Sequence, residues 1–217
     1  MKLRNMIFDM DGVIFDSERT YEEAMYSNAQ KYGITPTHDM FLKTVGTSEA
    51  VSREIFIAEY GPFDFDAFRA DIRAHILNEM KNGRIPLKKG VHNILDFLKD
   101  NGVRIALATS TRRYTAEDML NRAGLLACFQ ETVCGDEVKR AKPDPEIFLT
   151  ACARLGGTPE DTLIIEDSYN GIRAANAAGI PVLMVPDMLP PLEELATFGI
   201  AQDLDEAQRM ITPLVLG

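Results

Sequence analysis

Two aspartates separated by a single residue follow the first apolar run of the chain. Asp9 and Asp11 lie in the segment IFDMDGV, which spans residues 7–13. A carboxylate can attack phosphorus as a nucleophile, and a second carboxyl group nearby can supply the proton that a leaving group takes up. An isolated Asp-x-Asp-Gly can equally well cap a turn. The pair therefore indicates chemistry only if other reactive side chains join it.

Other side chains that could react stand at similar positions later in the chain. Two hydroxyl residues follow the apolar run of residues 103–108, and two acids follow the run of residues 162–165. One lysine lies in the segment AKPDP, where the prolines favour a rigid entry into the helix that it is predicted to open. A lysine alone is typical of a solvated surface, but its proximity to the acids favours a functional role. In chain order these residues are Thr109, Ser110, Lys142, Glu166 and Asp167.

Four carboxylates meeting at one place require a cation between them. If Asp9, Asp11, Glu166 and Asp167 converge, they repel one another unless a metal ion occupies the centre. Carboxylate oxygens with room for phosphate and water suit Mg²⁺. The sequence therefore predicts a Mg²⁺ site. With the metal and Lys142 neutralising a phosphoryl group, a carboxylate is able to attack phosphorus in line.

Each residue of this set then has a predicted role. Asp9 is the predicted nucleophile, which forms an aspartyl-phosphate that water hydrolyses. Asp11 is the predicted proton carrier. The Thr109 hydroxyl and the Ser110 backbone N–H are predicted to hold phosphoryl oxygens. Thr109 can also cap the following helix, and the two roles are compatible.

The elements that must bring these side chains together form an α/β pattern. Short apolar runs predict buried parallel strands, and helical patterns separate the later ones. Alternation of this kind predicts a doubly wound, Rossmann-like parallel sheet of about five strands. Ligands collect at the carboxyl ends of such strands, which is where the reactive residues fall. The predicted strands cover residues 3–8, 103–108, 132–134, 162–165 and 181–185.

One interval breaks this alternation. Between residues 17 and 83 the apolar positions recur only at helical spacing, as in Tyr21, Met25 and Ala29. We therefore predict an all-helical cap domain at residues 17–83, inserted into an α/β core of residues 1–16 and 84–217.

Composition narrows the class of protein. The 217 residues carry a formal net charge of −10, which disfavours nucleic acid as a partner because that role needs a basic surface. The three cysteines and three histidines lack metal-ligand spacing. We find no signal-peptide pattern and no membrane-spanning stretch, and expect a cytoplasmic protein that is a monomer or weak dimer.

Taken together, these motifs resemble the haloacid dehalogenase-like hydrolases. The similarity is to the subfamily with a helical cap, which includes β-phosphoglucomutase-like and phosphoglycolate phosphatase-like enzymes. Four motifs carry the resemblance: DMDGV at 9–13, ATS at 108–110, KPDP at 142–145 and IEDS at 165–168. The resemblance implies that Mg²⁺ is bound by the Asp9 carboxylate, the Asp11 backbone carbonyl and Asp167. Glu166 would bind directly or through water.

Within this subfamily the cap is expected to set the substrate. The segment LKTVGT at 42–47 resembles β-phosphoglucomutase, but Tyr21 and Glu49 stand where that enzyme has a histidine and a phosphate-binding arginine. Both differences favour a phosphatase over a mutase. Short segments of the sequence, such as residues 106–110, also resemble the pseudouridine monophosphatase-like branch of the family. The predicted specificity residues are Tyr21, Lys43, Gly46, Thr47 and Arg112.

We therefore predict a Mg²⁺-dependent phosphatase acting on a small phosphorylated metabolite, such as a sugar phosphate or a nucleoside monophosphate. A sugar phosphomutase is the alternative enzyme. A catalytically silent regulatory or phosphate-binding protein on the same fold is the alternative from another class.

Overall fold

The computed structural model describes residues 2–45, 47 and 49–217, which form two compact units. The first unit contains the chain up to Phe15 and again from Leu87 onward, and the second is Asp16–Pro86. In chain order the α-helices are α1 Ser17–Ala29, α2 His38–Leu42, α3 Glu49–Tyr60, α4 Phe65–Lys81, α5 Val91–Asp100, α6 Arg113–Arg122, α7 Glu146–Arg154, α8 Tyr169–Ala178 and α9 Leu204–Leu216. Short 3₁₀ helices cover Gln30–Tyr32, Leu126–Cys128 and Pro159–Asp161.

The first unit is built on one parallel sheet, which confirms the predicted fold class. Its strands are β1 Asn5–Phe8, β2 Arg104–Thr109, β3 Glu131–Cys134, β4 Thr162–Glu166, β5 Val182–Met184 and β6 Gly199–Ile200. Their order is β3-β2-β1-β4-β5-β6, and neighbouring strands are parallel. The sheet has six strands where the sequence predicts about five. The sixth strand was not predicted because it has only two residues, one of them exposed, and is too short to form an apolar run.

The central strands are apolar because both faces of the sheet are covered. Every residue of β1 and β4 is buried, as expected for a parallel sheet with helices on both sides. One face packs against α7 and α8 through a cluster that includes Ile7, Val133 and Phe148. Burying an apolar side chain of this size contributes about 1.5–3 kcal/mol, so this packing stabilises the sheet that carries the strand ends.

The second unit is all-helical among the residues described. Thr37 and Asp64 cap the starts of α2 and α4 by accepting hydrogen bonds from the backbone N–H groups of Met40 and Ala67. Phenylalanine rings from α3, α4 and the connection between them pack edge to face in its core. That this unit acts as a cap stays a prediction. Across the described chain, the helices are too short or too polar to cross a membrane.

Candidate active site

The ends of three neighbouring strands position the predicted active-site residues. Phe8 in β1 lies level with Leu107 in β2 and with Ile165 in β4. The backbone N–H of Asp9 donates to the Ile165 carbonyl at 3.0 Å, which continues the pairing one residue further. Thr109 is the last residue of β2, and Glu166 is the last of β4. The acids and hydroxyls that the sequence singled out therefore come to one edge of the sheet.

Lys142 forms the centre of a buried ionic cluster at this edge. Its ammonium group lies 2.5 Å from Asp9 Oδ1, 2.8 Å from Glu166 Oε1 and 3.2 Å from the Ala108 carbonyl oxygen. An ammonium has three N–H donors, so these three acceptors satisfy it. The side chains of Lys142, Asp9 and Glu166 are 7%, 9% and 1% exposed. The cluster is therefore shielded from water, which strengthens its electrostatics.

Lys142 reaches the cluster from a turn and not from a helix. The sequence placed it at the opening of the helix before the fourth strand, but α7 begins only at Glu146. That expectation was wrong by one turn, because Pro145 takes the N-cap position and the segment before it stays non-helical. The Lys142 ammonium also lies 4.7 Å from the centre of the Phe148 ring, on the first turn of α7. The aromatic face adds to the stabilisation of the buried charge.

Burial controls the ionisation of this cluster. Burial raises the pKa of Asp9 to about 7; the ammonium of Lys142 opposes this rise, while repulsion by Glu166 and Asp11 adds to it. Burial by itself would lower the pKa of Lys142, but the two carboxylates raise it well above its usual range. Lys142 therefore stays charged, and Asp9 titrates near neutrality in the absence of a cation.

Three of the predicted acids are close enough to share a cation. Carboxylate oxygens of Asp9, Glu166 and Asp167 lie within 4.8 Å of one another. Both oxygens of Glu166 have protein partners, because Oε1 binds Lys142 and Oε2 accepts the Ser168 backbone N–H at 2.7 Å. The donors are all oxygens, and the repulsion by Glu166 and Asp11, which adds to the effect of burial on the pKa of Asp9, is one that a cation would relieve. This donor set fits Mg²⁺, which Asp9, Glu166 and Asp167 could hold together.

Two glycines make room for these carboxylates. A Cβ at Gly171, in α8, would overlap the carboxylate of Glu166, and a Cβ at Gly12 would overlap that of Asp167. Gly12 also has a φ of +80°, a conformation that other residues rarely adopt. The backbone therefore approaches both acids more closely than a side chain would allow.

Asp11 is held by a residue that the sequence analysis did not select. The Thr111 hydroxyl donates to Asp11 Oδ2 at 2.8 Å. The backbone N–H of Thr111 donates to the Thr109 hydroxyl oxygen at 3.0 Å, and its carbonyl accepts from Gly135 at 3.0 Å. The available signal was a third consecutive hydroxyl residue in the run TST at 109–111. Thr109 is fully buried, whereas Ser110 is exposed.

The predicted specificity residues are divided between the two units. Arg112 is exposed as the N-cap of α6. Tyr21, Lys43 and Thr47 belong to the second unit, where the Tyr21 ring stacks on Phe41 with 6.1 Å between ring centres. Lys43 and Thr47 are exposed. Gly46 lies outside the residues that the structure describes.

Comparisons with known proteins match the chain to one family and to phosphatases and a solved structure that resemble it. The family described as haloacid dehalogenase-like hydrolase matches residues 6–185. The chain is 36% identical over 178 residues to a phosphorylated carbohydrates phosphatase of Thermotoga maritima, covering 81% of each chain. It is 34% identical over 210 residues to a probable pseudouridine-5'-phosphatase of Drosophila melanogaster, covering 94% of this chain and 89% of the relative. The crystal structure of a putative β-phosphoglucomutase from Thermotoga maritima superposes with a TM-score of 0.81 at 30% identity, covering 97% of this chain and 99% of the other.

Proposed function

Because the chain belongs to the haloacid dehalogenase-like hydrolase family, we propose that it removes phosphate from a small phosphorylated metabolite with Mg²⁺, through an aspartyl-phosphate formed on Asp9. The observation that carries this proposal is the buried cluster of Asp9, Lys142 and Glu166 at the carboxyl edge of the sheet. A buried lysine held by two acids offers positive charge to a phosphoryl group beside a carboxylate that can act as the nucleophile.

In the first step Asp9 attacks phosphorus. A bond forms between an Asp9 carboxylate oxygen and phosphorus, the bond from phosphorus to the ester oxygen breaks, and Asp11 gives its proton to the departing alkoxide. Asp9 Oδ1 is held by Lys142 at 2.5 Å, which leaves Oδ2 as the attacking atom. Fixing the carboxylate in this way removes the entropy cost of aligning it at the moment of reaction.

In the second step water cleaves the aspartyl-phosphate. Asp11, now ionised, takes a proton from water as the water oxygen attacks phosphorus, which releases inorganic phosphate and regenerates the Asp9 carboxylate. The Thr111 hydroxyl positions Asp11 for both proton transfers through its 2.8 Å hydrogen bond. Thr109 and the Ser110 backbone N–H hold phosphoryl oxygens, and Lys142 balances their charge.

Asp9 and Asp167 would hold Mg²⁺, with the backbone carbonyl of Asp11 as a further ligand by similarity to the family. When bound, the metal supplies positive charge for the oxygens of the transferring phosphoryl group. Glu166 has a different main role in this proposal. Its two oxygens are used by Lys142 and Ser168, so it keeps the lysine charged and in place.

Hydrolysis is favoured over mutation by two residues of the second unit. A mutase must hold a bisphosphate intermediate, which calls for a second cationic site. Glu49 is acidic where β-phosphoglucomutase has an arginine, and its carboxylate lies 3.7 Å from Arg73. Tyr21 is packed on Phe41 and offers no cation. The phosphatases among the relatives favour sugar phosphates and nucleoside monophosphates as substrates to test first.

Phosphate release tests this proposal directly. The purified chain is incubated with Mg²⁺ and a panel of sugar phosphates, nucleoside monophosphates and small phosphorylated acids, with and without a chelator. We expect Mg²⁺-dependent release that Asp9→Asn abolishes while the circular dichroism spectrum is unchanged. Interconversion of hexose phosphates without release would instead identify a mutase. No turnover and no acyl-phosphate with any substrate would identify a silent protein.

A further inference from the structure

Helix α6 begins close to the proposed phosphate-binding residues, and its own sequence does not cap it. The N-cap position is Arg112, whose guanidinium group has only donors and cannot accept from the first backbone N–H groups of the helix. The first turn, RYTA at 113–116, carries no acidic side chain. The N–H groups at the start of a helix have no partners within it. An acceptor must therefore come from another part of the chain.

That acceptor is Asp136, which follows β3. The backbone N–H of Arg113 donates to Asp136 Oδ1 at 3.0 Å. A carboxylate at the start of a helix is also favoured by the helix dipole. The hydrogen bond ties the first residues after β3, which we call the β3 loop (residues 135–137), to the β2 loop (residues 110–112), which leads from β2 into α6.

Further contacts join the two loops. The Gly135 N–H donates to the Thr111 carbonyl at 3.0 Å, and a Cβ at Gly135 would overlap the Ser110 carbonyl oxygen. The Arg113 guanidinium group donates to Glu137 Oε2 at 2.5 Å. The backbone of the β2 loop is thus held from one side by the β3 loop.

The β2 loop carries groups that the proposed reaction needs at fixed positions. The Thr111 hydroxyl donates to Asp11 Oδ2 at 2.8 Å, and the Ser110 N–H is a proposed donor to phosphoryl oxygens. Ser110 and Arg112 are exposed, so packing of their side chains in the core does not hold the loop. Its position depends on the contacts with the β3 loop.

We propose that Asp136 is a positioning residue for the proton transfers of Asp11, acting through the β2 loop and the Thr111 hydroxyl. The inference deepens the proposed function and rests on it. Without the Asp136 carboxylate, the start of α6 is free to fray, and the Thr111 hydroxyl spends less time on Asp11.

Steady-state kinetics of Asp136→Ala test this role with two substrates, an alkyl phosphate and p-nitrophenyl phosphate. With the alkyl phosphate, kcat should fall by about fivefold, as expected for the loss of a helix cap, while KM stays within about twofold. The loss should be smaller with p-nitrophenyl phosphate, whose leaving group needs little protonation. Asp136→Asn keeps an oxygen acceptor and should retain most of the activity.

The matched control is Asp64→Ala, which removes a cap at an exposed position of the second unit. Asp64 Oδ1 accepts from the Ala67 N–H at the same distance, 3.0 Å. The two alanine variants should have similar unfolding temperatures, because each loses one cap. Asp64→Ala should leave the ratio of kcat for the two substrates within about twofold of the original ratio.

A double variant tests the route through Thr111. If Asp136 acts through this hydroxyl, the variant with both Asp136→Ala and Thr111→Val should have a kcat within about twofold of that of Thr111→Val alone. Amide exchange followed by NMR tests the geometry without turnover. The Gly135 N–H, which is bonded to the Thr111 carbonyl, should exchange at least about fivefold faster in Asp136→Ala and at the original rate in Asp64→Ala.

Several outcomes would overturn the inference alone, provided that the unaltered chain releases phosphate. They are an unchanged kcat in Asp136→Ala, an equal loss with both substrates, and losses that multiply in the double variant. No release by the unaltered chain from any substrate would overturn the proposed function and this inference with it. If Asp136→Ala does not fold, Asp136→Glu keeps the charge but displaces the acceptor oxygen, and the comparison of the two substrates then decides.

Discussion

At the scale of single residues, the active-site cluster has a defined dependence on protons. Asp9, Glu166 and the Ala108 carbonyl satisfy the three N–H donors of Lys142. The side chains of Lys142, Asp9 and Glu166 are nearly inaccessible to water. Removal of one partner would leave a buried charge without compensation, which costs about 3–5 kcal/mol. The cluster is thus strongly constrained, and we expect its protonation state to affect the binding of a cation.

Binding of Mg²⁺ is predicted to weaken at acidic pH. The pKa of Asp9 is raised to about 7 without a cation, so below pH 7 a proton occupies the carboxylate and competes with the metal. The apparent affinity for Mg²⁺ should therefore fall by up to about tenfold for each pH unit below 7 and level off above it. Calorimetric titrations between about pH 5.5 and about pH 8.5 measure this dependence.

The control for this prediction is Asp9→Asn, which cannot bind a proton at that position. Its weaker Mg²⁺ affinity should vary little over the same interval. If the unaltered chain bound Mg²⁺ equally well across the whole range, the raised pKa of Asp9 would not govern metal binding.

Thr111 is predicted to matter for proton transfer and not for binding. Thr111→Val removes the hydroxyl that donates to Asp11 but keeps the shape of the side chain and its backbone hydrogen bonds. A hydrogen bond to a charged group is worth about 1.5–3 kcal/mol, so kcat should fall by roughly tenfold or more while KM stays within about twofold. Steady-state kinetics on an alkyl phosphate measure both constants.

Two comparisons separate positioning of Asp11 from general damage. Thr111→Ser keeps the donor and should retain most of the activity. With p-nitrophenyl phosphate, whose leaving group needs little protonation, the loss in Thr111→Val should be smaller than with an alkyl phosphate. An equal loss with both substrates would argue against a role for Thr111 through the proton carried by Asp11 in the first step.

At the scale of elements, the close approach of α8 to the sheet edge depends on Gly171. Alanine normally stabilises a helix interior by about 1 kcal/mol relative to glycine. At this position a Cβ would overlap the Glu166 carboxylate, which is fixed by Lys142 and Ser168. We therefore predict that Gly171→Ala lowers the free energy of unfolding by about 1–3 kcal/mol and reduces kcat.

Chemical denaturation and phosphate release measure the two effects of Gly171→Ala. Asn176→Ala, at an exposed position of the same helix, is the matched control and should change the stability by less than about 0.5 kcal/mol. A Gly171→Ala variant that was more stable and fully active would show that helix propensity outweighs the overlap at Glu166.

The strands that carry the site could be predicted from the sequence, whereas several contacts could not. The apolar runs before Asp9, Thr109 and Glu166 are local features, and parallel strands necessarily bring their ends to one edge. The bond from Thr111 to Asp11 joins residues 100 positions apart and depends on the exact path of two loops. The close approach of Gly171 to the Glu166 carboxylate depends on how α8 packs on the sheet. Neither feature has a local pattern that would reveal it.

At the scale of the whole molecule, the two segments of the first unit that flank the insertion run side by side. Phe15 and Leu87 form an antiparallel bridge, and the Lys88 N–H donates to the Ile14 carbonyl at 2.9 Å, all within the first unit. The chain therefore leaves the first unit and returns to it at adjacent points. Such insertions can often be removed without loss of the host domain, because the break needs only a short connection.

We predict that the first unit folds alone when residues 16–86 are replaced by a short Gly-Ser linker. Its strands, its core and the cluster of Asp9, Lys142 and Glu166 all lie within residues 1–15 and 87–217. The shortened chain should unfold cooperatively and bind Mg²⁺ within about threefold of the affinity of the full chain. It should keep slow hydrolysis of p-nitrophenyl phosphate but lose discrimination among metabolites, if the second unit acts as a cap that selects them. The Asp9→Asn form of the shortened chain should bind Mg²⁺ more weakly and lose the hydrolysis, which ties both properties to the same site. An insoluble or non-cooperative product would mean that the first unit needs the second in order to fold, and unchanged selectivity would mean that the substrate is chosen by the first unit alone.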